Sequence, residues 1–156
     1  MNKLITLLTI MSLGVSLIKA PLRFEDMTLE QRAETVGLSV DEFVLFSGVV
    51  EAESNRDPDD IEGRIYIALT IWNRASEEHP EFGNTITAVL TQPGQFSTVR
   101  GGHSVTSRTE MSDRAILEAY NLIQEGDAPE VLFFNCRGFF SWREPYALIG
   151  GNYFSL

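Results

Sequence analysis

The amino-acid sequence predicts a single α+β domain that is mostly α-helical, with a small β-hairpin near the C-terminus. Apolar residues recur at helical spacing in several segments between residues 28 and 126, and capping residues precede two of these segments. Short apolar runs typical of strands occur after Gly126. The length of 156 residues corresponds to about one domain and is sufficient for a hydrophobic core.

Two capping boxes predict the first two helices. Thr28–Gln31 and Ser39–Glu42 each place a hydroxyl side chain three residues before Gln or Glu. Along the second helix, an apolar row at spacings of three and four comprises Phe43, Phe46 and Val50. Pro58 ends this region, because the residue before a proline is disfavoured in a helix.

Three further helices are predicted from periodicity and from helix-ending residues. The third helix begins at about Glu62 and ends before Pro80. Asn84 is expected to cap a short helix that runs through Leu90. Ser112 is expected to open the last helix, and Gly126 to close it.

The C-terminal residues predict the β part of the fold. Val131–Asn135 and Phe139–Trp142 flank the tripeptide Cys136-Arg137-Gly138, which indicates a hairpin. Ile149–Phe154 is expected to add a strand.

Residues 1–20 are predicted to be a signal peptide or a weak membrane anchor, and residues 21–156 the folded domain. Lys3 precedes an uncharged apolar run, Leu4–Ile18, which is shorter than the ~20 residues of a comfortable membrane span. Ala20 provides a cleavage site, but Pro21 is a poor residue to follow one. The protein is therefore expected to be exported, with transient membrane association through residues 1–20.

The charge and cysteine content exclude several classes. Twelve basic residues against 22 acidic ones give a net charge of −10, and the part beyond residue 20 carries −12 because two lysines are lost. No basic field exists to attract nucleic acid. The single cysteine, Cys136, excludes an internal disulfide, and a free cysteine is tolerable in an exported domain if it is buried.

Glu53 is the candidate catalytic residue. It continues the row of Phe46 and Val50 and lies in the last turn of the second helix. Desolvation and the negative end of the helix dipole both favour its protonated form, as a general acid requires. Glu51 points to another side of the helix and is expected to be solvated. The alternative for Glu53 is a structural acid that pairs with a buried arginine or is half exposed.

Five motifs in order then resemble the SleB-type cell wall hydrolases, the spore-cortex-lytic enzymes. They are Val49–Asp57, Glu62–Ala68, Ile71–Arg74, Asn84–Ile86 and Gln92–Ser97. The resemblance extends from about Phe43 to Phe154. It implies a lysozyme-like single domain that acts on the glycan strand of peptidoglycan, and it places the family's catalytic glutamate at Glu53. We expect a monomer without cofactor or metal.

The chain departs from the family pattern at several positions. Glu51 replaces a small residue, Arg56-Asp57 replaces Gly-Glu, and one extra residue precedes Glu62. Near the C-terminus, Asn152 occupies the position of a family histidine. These departures leave a second hypothesis open, a catalytically inactive relative that binds glycan or a partner protein.

The resemblance implies that Glu53 protonates the oxygen between N-acetylmuramic acid and N-acetylglucosamine. Glycoside hydrolysis generally uses two carboxylates, and the only nearby second candidate is Asp57, so a lytic transglycosylase is favoured. Candidate substrate-binding residues are Gln95, Phe96, Asn152 and Tyr153. For Gln95 the alternative is a role in holding its own loop, and for Phe96 and Tyr153 a place in the core. Asn73 and Arg74 are expected to cap the third helix and to pair with an acid.

Other enzyme and binding classes fit poorly. Asn55, Asp57 and Asp59 have calcium-loop spacing, but Asp60 stands where glycine is needed and Tyr66 where glutamate is needed. A zinc peptidase lacks its paired histidines, because the chain has only His79 and His103. Cys136 with His103 is a weak indication of a thiol peptidase.

Overall fold

Five α-helices and a small C-terminal antiparallel sheet make up the described part of the chain, residues 22–54, 57–76 and 78–156 of a computed structural model. The predicted signal segment, residues 1–20, lies outside these residues. Within them, no helix is both long enough and apolar enough to cross a membrane. The predicted fold class, α+β and mostly α, is confirmed.

Four helices come first along the chain, followed by a short β-hairpin, a fifth helix and then the sheet. The helices are α1 Leu29–Thr35, α2 Val40–Glu53, α3 Ile61–Arg74, α4 Ile86–Thr91 and α5 Glu110–Glu125. The strands are β1 Val99–Arg100, β2 His103–Ser104, β3 Phe133–Asn135, β4 Pro145–Ile149 and β5 Asn152–Ser155.

Both predicted capping boxes are present, with each hydroxyl accepting from the third backbone N–H and each Gln or Glu side chain accepting in return. The predicted starts of α4 and α5 were wrong. Thr85, not Asn84, caps α4, because its hydroxyl accepts the N–H of Ala88. Thr109 caps α5, and Ser112, the third residue of the helix, completes that capping box.

The predicted C-terminal hairpin was also wrong in its pairing. Strand β5 lies in the centre of a three-stranded sheet, with β3 on one side and β4 on the other. The hairpin is β4–β5, because the positive φ angles of Gly150 (54°) and Gly151 (76°) turn the chain inside the segment that was predicted as one strand. Residues 139–142 form a loop instead of a strand, since Asn135 binds both the Gly138 carbonyl and the Arg137 N–H and so turns the chain away from β3.

Helix α2 is the central element of the fold. Its predicted apolar row of Phe43, Phe46 and Val50 is fully buried. On another side, the β1–β2 hairpin packs against Gly48 so closely that an added Cβ would lie 2.7 Å from the Ser104 side chain. The hairpin therefore lies directly along α2 and approaches its C-terminal end.

A buried carboxylate links three helices. Asp113 of α5 has no solvent exposure and accepts hydrogen bonds from Arg32 of α1 (2.8 Å) and Ser47 of α2 (2.6 Å). Arg108 donates a further hydrogen bond to the same carboxylate. Because Arg32 is itself buried, this carboxylate offsets the free-energy cost of burying its positive charge.

Replacing Asp113 by Asn is expected to lower the free energy of unfolding by about 3 kcal/mol, because the buried Arg32 loses its charged partner. Urea unfolding measures the change. Glu110→Gln is the matched control, since Glu110 faces the same arginine at 3.7 Å but has a side chain 84% exposed. Its expected loss is below about 0.5 kcal/mol, and losses of equal size in the two variants would contradict the prediction.

Candidate active site

The candidate acid lies in an open cavity between the end of α2 and the C-terminal sheet. Glu53 is the last residue of α2. The cavity has a volume of about 380 Å³ and is lined by Ala52, Glu53, Ser54, Phe134, Asn135, Cys136 and Asn152. Strands β3 and β5 thus form the wall that faces the helix end.

The environment of Glu53 favours its protonated form. Burial raises the pKa of the Glu53 carboxyl above its ordinary value, and the hydroxyl of Thr98 partly offsets this by donating a hydrogen bond to Oε1 at 3.0 Å. The position in the last helical turn acts in the same direction as burial, because the helix dipole disfavours a negative charge there. A half-buried carboxyl that holds its proton more readily than usual is suited to act as a general acid.

The prediction that Glu51 is solvated was wrong. Its side chain is only 17% exposed, and its two carboxylate oxygens accept hydrogen bonds from Nε and Nη2 of Arg64 at 3.0 and 2.9 Å. The hydroxyl of Thr109 donates to it as well, at 2.8 Å. The bond from Arg64 lowers the pKa of Glu51, so the two glutamates at the end of α2 shift in opposite directions.

Arg64 also fixes the chain that follows α2. Its Nη1 donates to the backbone carbonyls of Asp57 and Asp60, each at 2.8 Å. The arginine is 2% exposed, so a single buried guanidinium joins the end of α2, the turn at residues 57–60 and α3. The departure from the family pattern at Glu51 is therefore matched by a specific partner. Arg56, the other half of the altered turn, and Asn55 of the calcium spacing lie outside the described residues.

Two of the four predicted substrate-binding residues lie on β5, and only one of them lines the cavity. Asn152 is 5% exposed, and its Nδ2 lies 3.5 Å from the backbone carbonyl of Glu53. Tyr153 is not among the cavity-lining residues, and its ring packs edge-on against Phe139 at 5.0 Å. The structure thus brings Asn152, but not Tyr153, together with the candidate acid.

The other two predicted residues, Gln95 and Phe96, are not among the cavity-lining residues. Nη1 of Arg74 donates to Oε1 of Gln95 at 3.0 Å, and Phe96 is 6% exposed within the core. The prediction that Arg74 pairs with an acid was wrong: its Nε donates to the Leu132 carbonyl, and burial lowers its pKa to about 10. Asn73 has a structural role but not the predicted one at the end of α3, since its amide donates to two backbone carbonyls of the segment before β3.

Glu53 is the one carboxylate among the described residues that line the cavity. Asp57, the predicted second candidate, uses Oδ1 to accept the N–H of Asp59 at 3.0 Å and so closes its own turn. In the described ranges, no group of three or more His, Cys, Asp and Glu side chains is arranged to hold a metal ion.

Sequence reasoning missed Thr98 and the cavity-lining residues on and directly after β3. Thr98 directly follows the Gln-Phe-Ser motif, but its contact with Glu53, 45 residues away in the chain, has no local signal. Asn135, the last residue of β3, and Cys136, directly after it, line the cavity. The thiol of Cys136 is exposed.

Comparison with known proteins identifies the family. The Cell Wall Hydrolase family model matches residues 58–154, and the chain belongs to this family. The fold is similar to the catalytic domain of the Bacillus cereus SleB protein, with a TM-score of 0.62 and 26% identity over 77% of this chain and 93% of that one. It is equally similar to the catalytic domain of the germination-specific lytic transglycosylase SleB from Bacillus anthracis, with a TM-score of 0.62 and 25% identity over 77% and 98% of the two chains. No curated protein matches the sequence.

Glu53→Gln is expected to raise the free energy of unfolding at pH 7. The folded-state pKa of Glu53 lies above its unfolded value near 4.5, so ionisation destabilises the fold as pH rises through the folded-state pKa. Glutamine carries no charge at any pH, and the advantage of the variant should therefore vanish below about pH 4. Urea unfolding between about pH 4 and pH 7 measures the difference in the free energy of unfolding between the variant and the native chain. Glu125→Gln, at the exposed end of α5, is the control, and an equal gain there would contradict the explanation.

Thr98→Val is expected to raise the pKa of Glu53 further, because the hydrogen bond that favours the carboxylate is lost. NMR titration of the protein with ¹³C-labelled glutamate side chains measures this pKa. The matched control is Thr87→Val, since Thr87 donates a similar hydrogen bond to Glu42 at 3.1 Å, and this change should leave the pKa of Glu53 unaltered. An unchanged or lowered pKa of Glu53 in Thr98→Val would show that the bond has no such effect.

Proposed function

We propose that the protein cleaves the glycan strand of peptidoglycan between N-acetylmuramic acid and N-acetylglucosamine, with Glu53 as the catalytic acid. The observation that carries the proposal is a half-buried Glu53 with a raised pKa in an open cavity of a Cell Wall Hydrolase family member. The family match begins at residue 58, so the assignment of Glu53 depends on the geometry and on the motif order, not on that match.

In the proposed reaction, the Glu53 carboxyl donates its proton to the glycosidic oxygen as the bond from the muramic acid C1 breaks. The resulting carboxylate then accepts the proton of the muramic C6 hydroxyl, whose oxygen attacks C1 and closes a 1,6-anhydro ring. The proton count balances, and Glu53 returns to its protonated form. This lytic transglycosylase reaction uses one carboxylate, whereas hydrolysis generally uses two.

The electrostatics of the site support the one-carboxylate reaction. Glu53 is the single acid among the described cavity-lining residues, and Asp57 is engaged in its own turn. The Bacillus anthracis structure carries the name of a lytic transglycosylase, which favours the same chemistry here.

Among the predicted substrate-binding residues, Asn152 is the best placed for a role in the cavity. As part of the wall beside Glu53, its amide offers a hydrogen-bonding group to a sugar substituent. Gln95, Phe96 and Tyr153 act in the proposal as supports. Gln95 and Phe96 hold the loop that leads to Thr98, and Tyr153 holds the sheet and the loop after Asn135. Because peptidoglycan lies outside the cytoplasm, the proposal includes export through residues 1–20.

The inactive relative remains the second candidate, because Asn152 at the histidine position lies directly beside Glu53. An asparagine cannot exchange a proton as a histidine does at neutral pH. If the family histidine were needed for proton transfer, this chain would bind glycan without cleaving it.

Glu53→Gln should lower the rate of peptidoglycan solubilisation by at least about 100-fold, because the proton donor is removed. Mass spectrometry of the soluble products from purified peptidoglycan measures both rate and chemistry. Glu125→Gln is the matched control, since Glu125 is also the last residue of its helix but is exposed, and it should retain full activity.

Anhydro-muropeptides formed by the native chain would support the transglycosylase, whereas products with reducing ends would indicate hydrolysis and a second carboxylate. A folded native chain that releases no product would favour the inactive relative. Equal rates in the native chain and Glu53→Gln would overturn the role of Glu53.

A further inference from the structure

Three exposed arginines in the described part of the chain have no carboxylate partner, and two of them lie on a loop that begins at the cavity wall. Most described arginines pair with carboxylates, namely Arg23, Arg32, Arg64, Arg108 and Arg114. Among the arginines that the structure describes, the exposed ones without a carboxylate contact are Arg100, Arg137 and Arg143. Arg100 lies two residues after Thr98, and Arg137 follows the cavity-lining Cys136 directly.

Arg137 and Arg143 lie on one loop, residues 136–143, which is anchored to the cavity wall. Asn135 lines the cavity, donates from Nδ2 to the Gly138 carbonyl at 2.9 Å and accepts the N–H of Arg137 at 2.6 Å. The loop is therefore a continuation of the wall beside Glu53. We call it the arginine loop.

The same loop exposes two large aromatic rings. Trp142 is 64% exposed and Phe139 is 41% exposed, although each ring is held by aromatic neighbours. The guanidinium carbon of Arg143 lies 4.6 Å from the centre of the Trp142 ring. Exposed rings that are held in place beside a cation are costly to leave in water and are typical of binding surfaces.

Aromatic rings and guanidinium groups without a carboxylate partner together match the chemistry of an anionic glycan. The C–H face of a sugar packs on an aromatic ring, and a guanidinium binds a carboxylate through paired hydrogen bonds. The protein as a whole is acidic and would be repelled by an anionic polymer. A local patch of unpaired arginine at the cavity gives such a polymer a favourable place to bind.

We propose that the arginine loop is a second substrate contact, in which Trp142 packs on a sugar ring of the strand while Arg137 and Arg143 bind a substrate carboxylate. This inference rests on the proposed function and names the substrate class as strands whose muramic residues carry free carboxylates. Those carboxylates belong to the stem peptide or, where a muramic residue carries no peptide, to its lactyl group.

The test measures binding to insoluble peptidoglycan in the full chain with Glu53→Gln, so that cleavage does not interfere. Adding Arg137→Gln and Arg143→Gln together should weaken binding about 10-fold, as should Trp142→Ala. Arg23→Gln is the matched control, because Arg23 is exposed but lies before α1 and not on the arginine loop. The binding of this variant to peptidoglycan should equal that of the Glu53→Gln chain. Circular dichroism establishes that each variant is folded.

Three forms of peptidoglycan identify the carboxylate. Amidation of all carboxyl groups should weaken binding of the Glu53→Gln chain about as much as the double arginine change, and should leave the double variant unaffected. Enzymatic removal of the stem peptides frees the lactyl carboxylate of each muramic residue. Loss of binding then assigns the contact to stem-peptide carboxylates, whereas retained binding shows that a lactyl carboxylate is sufficient; both results support a carboxylate contact.

Unchanged binding in the double arginine variant or to amidated peptidoglycan would overturn the carboxylate contact, and unchanged binding in Trp142→Ala would overturn the ring contact. Either result would leave the proposed function standing, because cleavage by the native chain is measured separately. If the variants bind weakly as expected but the native chain does not cleave peptidoglycan, the result counts against the proposed function alone.

Discussion

The position of the candidate acid depends on the ion pair between Arg64 and Glu51. A buried guanidinium is costly to desolvate unless its N–H groups are satisfied, and here a carboxylate and two backbone carbonyls accept from it. Because Thr109 also binds Glu51, the same contact reaches the start of α5. The last turn of α2 is thereby held against its neighbours, and Glu53, two residues further on, is presented to the cavity.

Two glutamates in one helical turn have been given opposite electrostatic environments. Glu51 faces a guanidinium that favours its charge, whereas Glu53 faces a half-buried cavity with one hydroxyl as a hydrogen-bond donor. Identical side chains thus serve structure and proposed chemistry according to their partners alone. The arrangement explains how an acid with a raised pKa can be kept near a stable ionised carboxylate.

Local signals in the sequence predicted the helices and the candidate acid. Capping boxes, apolar periodicity and Gly126 act over a few residues, and the placement of Glu53 at the end of an apolar row needs no distant partner. Contacts distant in sequence were not predictable in this way. Glu51 was misjudged because Arg64 is 13 residues away, Thr98 was missed because it is 45 residues from Glu53, and the hairpin was wrong because strand pairing depends on the Gly150 turn.

The only thiol of the chain lies in the wall of the cavity that holds Glu53. Cys136 is exposed there, beside Asn135 and Asn152. A reagent that modifies thiols would therefore attach to this protein at one place, at the mouth of the candidate site. A fluorophore on that sulfur would sense the arrival of a ligand at the cavity without any mutation to introduce or remove cysteine.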